Sequence, residues 1–180
     1  SSPILPLASA DHGGNVLYIG SLTKSLTTSL RMGYLVASEN FIRDATPWRI
    51  LIDMRGDMLL EEAMAVLFND GTMQRHLKKS LKLYHERRDL FCNLVKNELC
   101  DFVSFDKPEG GMAVWVRFKK KFSVADLSNA VSPHGMYISD GIFYNSGKVN
   151  YNALRMGYAS LNEKEMTEAV GILKKCVSEM

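Results

Sequence analysis

Two hydroxyls, a lysine and an arginine lie close together near the start of the chain, in Ser21-Leu22-Thr23-Lys24 and, seven residues on, Arg31. Hydroxyls and a guanidinium gathered at a strand end can hold a phosphate. A lysine partly desolvated beside another cation loses pKa and becomes a usable amine, so the combination points to Schiff-base chemistry. By residue type alone, a lysine in a polar turn is more often a solvated charge. The tetrapeptide also fits S-x-x-K, in which a serine is acylated and a lysine assists. That chemistry needs an S-D-N and a K-T-G elsewhere. Ser139-Asp140-Gly141 only approximates the first and the second is absent, which disfavours a serine hydrolase.

Further along, Arg155 interrupts an apolar run, Asn152-Ala153-Leu154-Arg155-Met156-Gly157-Tyr158-Ala159. A half-buried strand often turns such a residue to solvent, whereas an arginine facing a cleft offers a planar fork to a carboxylate. Gly110-Gly111 follows Pro108 and allows close approach of backbone to a ligand, although a plain turn has the same composition. His12, His76, His85 and His134 show no metal spacing, among themselves or with Cys92, Cys100 and Cys176. The basic run Arg117-Phe118-Lys119-Lys120-Lys121 reads as the solvated end of a strand, because the net charge is only +2 and no nucleic-acid motif accompanies it.

The elements that must position these residues follow from periodicity and punctuation. Val16 to Gly20 and Gly33 to Ala37 read as short strands buried on both faces. Ser38 to Met54 reads as a helix interrupted at Pro47, and Met58 to Phe68 as a second helix. After Asn69-Asp70-Gly71, apolar residues recur at Leu77, Leu81, Tyr84, Phe91, Val95 and Leu99, one long helix with Arg88 alone breaking the stripe. Strands are expected at Phe102 to Phe105, Met112 to Phe118, Met136 to Ser139 and Ala153 to Ala159. A short helix opens at Ser123, and a closing one carries Asn162 and Glu165 in capping-box spacing.

This is an α/β chain, read as the remnant of a larger sheet over residues 1–70 joined to a small α/β domain over 71–180. With 180 residues and 46% hydrophobic content it can bury a core without staples. No apolar run approaches membrane-spanning length and no leader is evident. Three cysteines, odd in number and without a CxxC pair, fit a reducing cytoplasm.

Taken together, Tyr18-Ile19-Gly20-Ser21-Leu22-Thr23-Lys24-Ser25-Leu26, Leu30-Arg31-Met32-Gly33-Tyr34 and Leu154-Arg155-Met156-Gly157-Tyr158-Ala159 strongly resemble the fold-type-I, pyridoxal-phosphate-dependent aminotransferases of class I/II. Asp70-Gly71, Arg75-His76-Leu77, Tyr84, Arg87-Arg88-Asp89, Pro108-Glu109-Gly110-Gly111-Met112 and Trp115 resemble the small-domain pattern of that superfamily. The resemblance implies that Lys24 forms the Schiff base with the cofactor aldehyde and shuttles the substrate α-proton. It further implies that Ser21, Thr23 and Arg31 hold the phosphate and that Arg155 binds the α-carboxylate of an amino-acid ligand. The glycine pair would let the small domain close over the site.

The departure from the family is the lack of its aspartate against the pyridine nitrogen, its aromatic and asparagine ring contacts and its phosphate loop at a helix start. These precede the lysine in the family, so the chain reads as a carboxy-terminal part, catalytically incompetent alone. The connection through Gly13-Gly14, the stretch Arg55-Gly56-Asp57 and the Asp70 to Asp89 pattern look most like MocR-type regulators of the GntR family. There an amino-terminal winged helix binds DNA and the aminotransferase-like domain senses pyridoxal phosphate with an amine or amino acid. That resemblance implies a homodimeric, cytoplasmic parent without membrane contact. The alternative is part of a stand-alone aminotransferase of the aminoadipate or kynurenine kind.

Overall fold

The computed structural model describes residues 5–10, 13–54, 56–119 and 121–180. Pro3, His12, Arg55 and Lys120 therefore lie outside the described residues. The chain divides into two compact units, Ser1–Lys78 and Lys79–Met180, so the division falls within a helix.

In the first unit, β1 (Tyr18–Ser21) pairs antiparallel with β2 (Gly33–Val36), with Ser21 opposite Gly33 and Gly20 opposite Tyr34. The amide of Leu22 donates to the carbonyl of Met32 at 3.0 Å and carries the pairing one step further. Strand alternation then sets Leu22 and Met32 on one face, with Ser21, Thr23 and Arg31 on the other. Leu22 is buried with Met64 and Met73, and Leu26, Leu30, Met32 and Leu67 pack around them. The connecting turn is thus amphipathic, its leucines directed into this small core.

The expectation that both strands are buried on both faces does not hold. Ile19 is 77% and Val36 54% exposed, and β2 is exposed throughout. Such a run stays dry only under two covering layers. Among the described residues this hairpin is packed only at its Leu22 and Met32 end.

The helix expected to break at Pro47 is continuous: α1 runs from Glu39 to Asp53 with Pro47 inside it. Proline removes one backbone donor but keeps a helical φ. The hydroxyl of Thr46 donates to the Ile42 carbonyl at 2.7 Å, while the bond that Pro47 forgoes is the one to the Arg43 carbonyl. Next, α2 (Met58–Asn69) is opened by Asp57, whose carboxylate accepts from the Leu60 amide at 3.0 Å. Asp70 then accepts from the Thr72 amide at 2.7 Å, which holds its carboxyl below the usual range, and Gly71 takes a left-handed φ of 77°. From that turn α3 (Thr72–Leu99) runs 28 residues, as its apolar period requires.

The second unit is a three-stranded antiparallel sheet in the order β3 (Val103–Phe105), β4 (Ala113–Phe118), β5 (Ala153–Gly157), with α4 (Val124–Val131) and α5 (Glu163–Ser178). Val114, Val116, Leu154 and Met156 point from the sheet into a core filled by Phe91, Val95 and Leu99 of α3, Leu127 and Val131 of α4, and Met166, Val170, Leu173 and Val177 of α5. Each such side chain contributes about 1.5–3 kcal/mol on burial. The capping box at α5 forms reciprocally between Asn162 and Glu165.

Met136 to Ser139, expected as a strand, belongs to none. The Ile138 carbonyl is taken instead by the hydroxyl of Ser128 at 2.7 Å, so the segment is tied to α4 rather than to a sheet ladder.

Asn152, at a left-handed φ of 47°, organises the approach to β5. Its amide nitrogen donates to the carbonyls of Phe118 (3.2 Å) and Phe122 (2.6 Å), while its oxygen accepts from Val124 N at the start of α4 (3.1 Å). Asn152→Ala leaves those groups without partners and should cost about 2 kcal/mol. Urea unfolding followed by circular dichroism measures this directly. A loss within error of zero would mean that water replaces all these bonds.

Candidate functional site

Ser21 ends β1, and the turn that follows carries Lys24 on its exposed side while Leu22 anchors it from below. The hydroxyl of Thr23 donates to the Leu30 carbonyl at 3.0 Å, closing the turn across from Arg31. That donor is spent, so Thr23 acts as a brace for the turn. The oxygen of Ser21 accepts from the Thr23 amide at 3.3 Å, which leaves the Ser21 O–H available to donate.

On the other side of the lysine, the Ser25 hydroxyl donates to the Leu22 carbonyl at 3.2 Å. His76 Nε2 meets the Ser25 carbonyl at 3.0 Å, and because a carbonyl only accepts, that nitrogen carries the proton. The backbone around Lys24 is therefore held by residues on both sides of it and from the first turns of α3.

Lys24 itself is exposed, so residues 1–78 do not supply the partial desolvation that the sequence reading attached to it. A groove of about 1010 Å³ runs beside β1 and β2 and is bordered by Arg31, Tyr34, Ile42 and Arg49. Ser21, Thr23 and Lys24 do not line it.

In the second unit, Arg155 is the third residue of β5 and projects from the face opposite the core, directly across from Trp115 of β4. The loop before β4 is fixed from the long helix. Arg88, the residue that breaks the apolar stripe, donates to the carbonyls of Glu109 (2.9 Å) and Pro108 (3.3 Å), and its Nε to Asp89 (2.8 Å). Lys107 and Arg88 together hold the Asp89 carboxyl below its ordinary range. Gly111, at a φ of 89°, accepts through its carbonyl from the buried hydroxyl of Tyr158 at 2.7 Å, and burial pushes that phenol up. These contacts join the glycine pair to the end of the strand that bears Arg155.

The arginines divide sharply by partner. Arg43 donates to Asn40, Arg49 to Glu61, Arg75 to Thr72, Arg87 to the Ala159 carbonyl and Arg88 to the acceptors above, while Arg117 lies 3.8 Å from Asp106. Among the described residues, Arg31 and Arg155 alone of the arginines have no hydrogen-bonding or ion-pair partner.

Among the described residues no group of histidine, cysteine, aspartate and glutamate could hold a metal, and no described helix is long and apolar enough to cross a membrane. Cys92 and Cys176 are buried thiols and Cys100 is exposed. In the basic run, the Lys121 ammonium lies 4.5 Å from the centroid of the Phe122 ring.

Sequence reading missed His76 as a brace of the lysine turn, because its partner lies 51 positions away and no periodicity reports such a bond. It also gave Tyr158 and Asn152 no role of their own. For Arg88 a signal existed, since a charge on the apolar stripe of a helix needs an acceptor nearby.

Residues 2–173 match the family described as aminotransferase class I and II. The chain belongs to that family. It is 31% identical over 161 residues to an uncharacterised HTH-type transcriptional regulator, YdfD, of Bacillus subtilis, covering 89% of this chain and 33% of the relative. It is 27% identical to a probable rhizopine catabolism regulatory protein, MocR, of Rhizobium meliloti, covering 96% and 35%. The chain spans about a third of the length of these two regulators. Its fold matches the crystal structure of a multiple substrate aminotransferase from Thermococcus profundus with a TM-score of 0.87 at 23% identity, over 99% of this chain and 44% of that one.

Proposed function

We propose that this chain is the carboxy-terminal part of the effector-sensing domain of a MocR-type GntR-family regulator, which binds pyridoxal phosphate together with an amino acid or amine. The observation that carries the reading is the pair of partnerless arginines. Arg31 and Arg155 are the two that the family resemblance assigns to a phosphate and a carboxylate. The donor set on the turn fits such a cofactor: a free hydroxyl on Ser21, the amine of Lys24 and the guanidinium of Arg31 sit at one end of a hairpin.

Pyridoxal phosphate, when bound, supplies an aldehyde for amine capture and a ring that withdraws electrons. In this reading Ser21 and Arg31 hold the phosphate oxygens, and Thr23 and His76 fix the turn. Lys24 presents its amine to the aldehyde and holds or releases a proton at Nζ. Arg155 orients the ligand through its carboxylate. The exposed faces of β1 and β2 are covered by the preceding part of the large domain. The parent is a cytoplasmic homodimer, with DNA contacted through a separate winged helix.

A second reading, part of a stand-alone aminotransferase, draws on the likeness to the Thermococcus profundus enzyme. The test uses the full-length protein, loaded with pyridoxal phosphate and offered amino acids with a 2-oxo acid acceptor. The regulator reading expects ligand-dependent change in affinity for its promoter DNA without repeated amino-group transfer. Sustained turnover without any DNA affinity would overturn it in favour of the enzyme.

A further inference from the structure

We propose that Trp115, braced by Tyr144, selects a ligand with an aromatic side chain at the carboxylate held by Arg155. The inference rests on the reading of Arg155 given above and deepens it to a ligand class. Trp115 and Arg155 are direct cross-strand partners, so both side chains leave the same face of the sheet. Their β-carbons are about 5 Å apart, as in any such pair. The opposite face takes Val114, Val116, Leu154 and Met156 into the core, so the Trp115 face is not needed to fill it.

The indole does not stand alone. Tyr144 meets it edge-on with ring centroids 5.1 Å apart and planes at 83°, and Phe143 meets Tyr144 edge-on at 5.8 Å and 82°. The turn that carries these two rings is fixed by Gly141, which has a φ of 79°. A β-carbon there would press against the Ala153 carbonyl and the Val124 side chain, each at 3.1 Å. Phe143 is nonetheless 90% exposed. On the same face, one step toward the start of β4 stand Ala113 and Gly157, a low shelf that leaves the guanidinium uncovered on that side, and one step the other way stand Ala153 and Arg117, the latter 3.8 Å from Asp106.

A partnerless cation beside a pre-set aromatic wall and an open shelf matches a molecule with a carboxylate at one end and a flat apolar group at the other. An aromatic α-amino acid has that shape. Edge-to-face and offset ring contacts contribute beyond simple area burial, so aromatic ligands gain over small ones at equal carboxylate cost.

The test is a binding titration on the full-length, pyridoxal-phosphate-loaded protein, with L-phenylalanine, L-tyrosine, L-alanine and L-aspartate. Phenylalanine and tyrosine should bind at least ~10-fold tighter than alanine or aspartate. Trp115→Ala and Tyr144→Ala should each shrink that ratio several-fold while alanine affinity stays within about two-fold of wild type. Trp115→Phe, which keeps a ring and guards against misfolding, should restore most of the preference. An unchanged phenylalanine-to-alanine ratio in Trp115→Ala, or no aromatic preference in the wild type, overturns the proposal while leaving Arg155 in place. If Arg155→Ala alters no affinity in the same titration, the underlying carboxylate reading fails and the proposal with it.

Discussion

Replacing Lys24 with alanine in the full-length protein should abolish the borohydride-stable pyridoxyl label, and in the wild type that label should map to Lys24 alone. The turn presents this amine from a backbone held by Thr23, Ser25 and His76, so it needs little reorganisation to meet an aldehyde at a fixed position. Many other lysines are exposed and chemically competent. Only a phosphate held beside Lys24 by Ser21 and Arg31 would make labelling selective. Peptide mass mapping after reduction reads the result, and a wild-type label spread over several lysines would remove Lys24 from its role. On the 180-residue chain alone, where Lys24 is exposed, the label should be weak and scattered.

The second large effect is at Arg155. Arg155→Ala should weaken amino-acid binding by about 3 kcal/mol, roughly a hundredfold, as expected for loss of a charge-assisted bidentate pair. Cofactor affinity should be unchanged, because Arg31 rather than Arg155 is assigned the phosphate. Arg155→Lys should recover only part of the loss, since an ammonium cannot reproduce the planar fork. Isothermal titration of the cofactor-loaded protein checks all three statements. Equal weakening of cofactor and amino acid would point to a folding defect and overturn the assignment.

The Asn162 capping box, the long apolar stripe of α3 and the alternation of β4 were legible because each is local, with its partners three, four or two residues away. The grouping of the candidate residues was legible for a related reason. Ser21, Thr23, Lys24 and Arg31 fall on one hairpin, where sequence distance and spatial distance nearly coincide.

Other features escaped for different reasons. Pro47 stays helical because its fixed φ suits a helix and it forgoes only the one backbone bond to the Arg43 carbonyl. Met136 to Ser139 looks like a strand by composition, yet a strand is defined by a partner, and Ser128 holds the Ile138 carbonyl instead. Apolar content likewise could not tell whether β1 and β2 are covered, because cover is a property of neighbouring layers.

The sequence by itself determined which residue types could hold a phosphate, an aldehyde and a carboxylate, and which helices and strands would carry them, since these depend on chemistry and short-range periodicity. Tertiary structure alone decided which of those groups are spent. It gave the Thr23 hydroxyl to Leu30 and Arg88 to the loop before β4, set His76 against the Ser25 carbonyl, and left Arg31 and Arg155 without partners, because hydrogen bonds are assigned in space rather than along the chain.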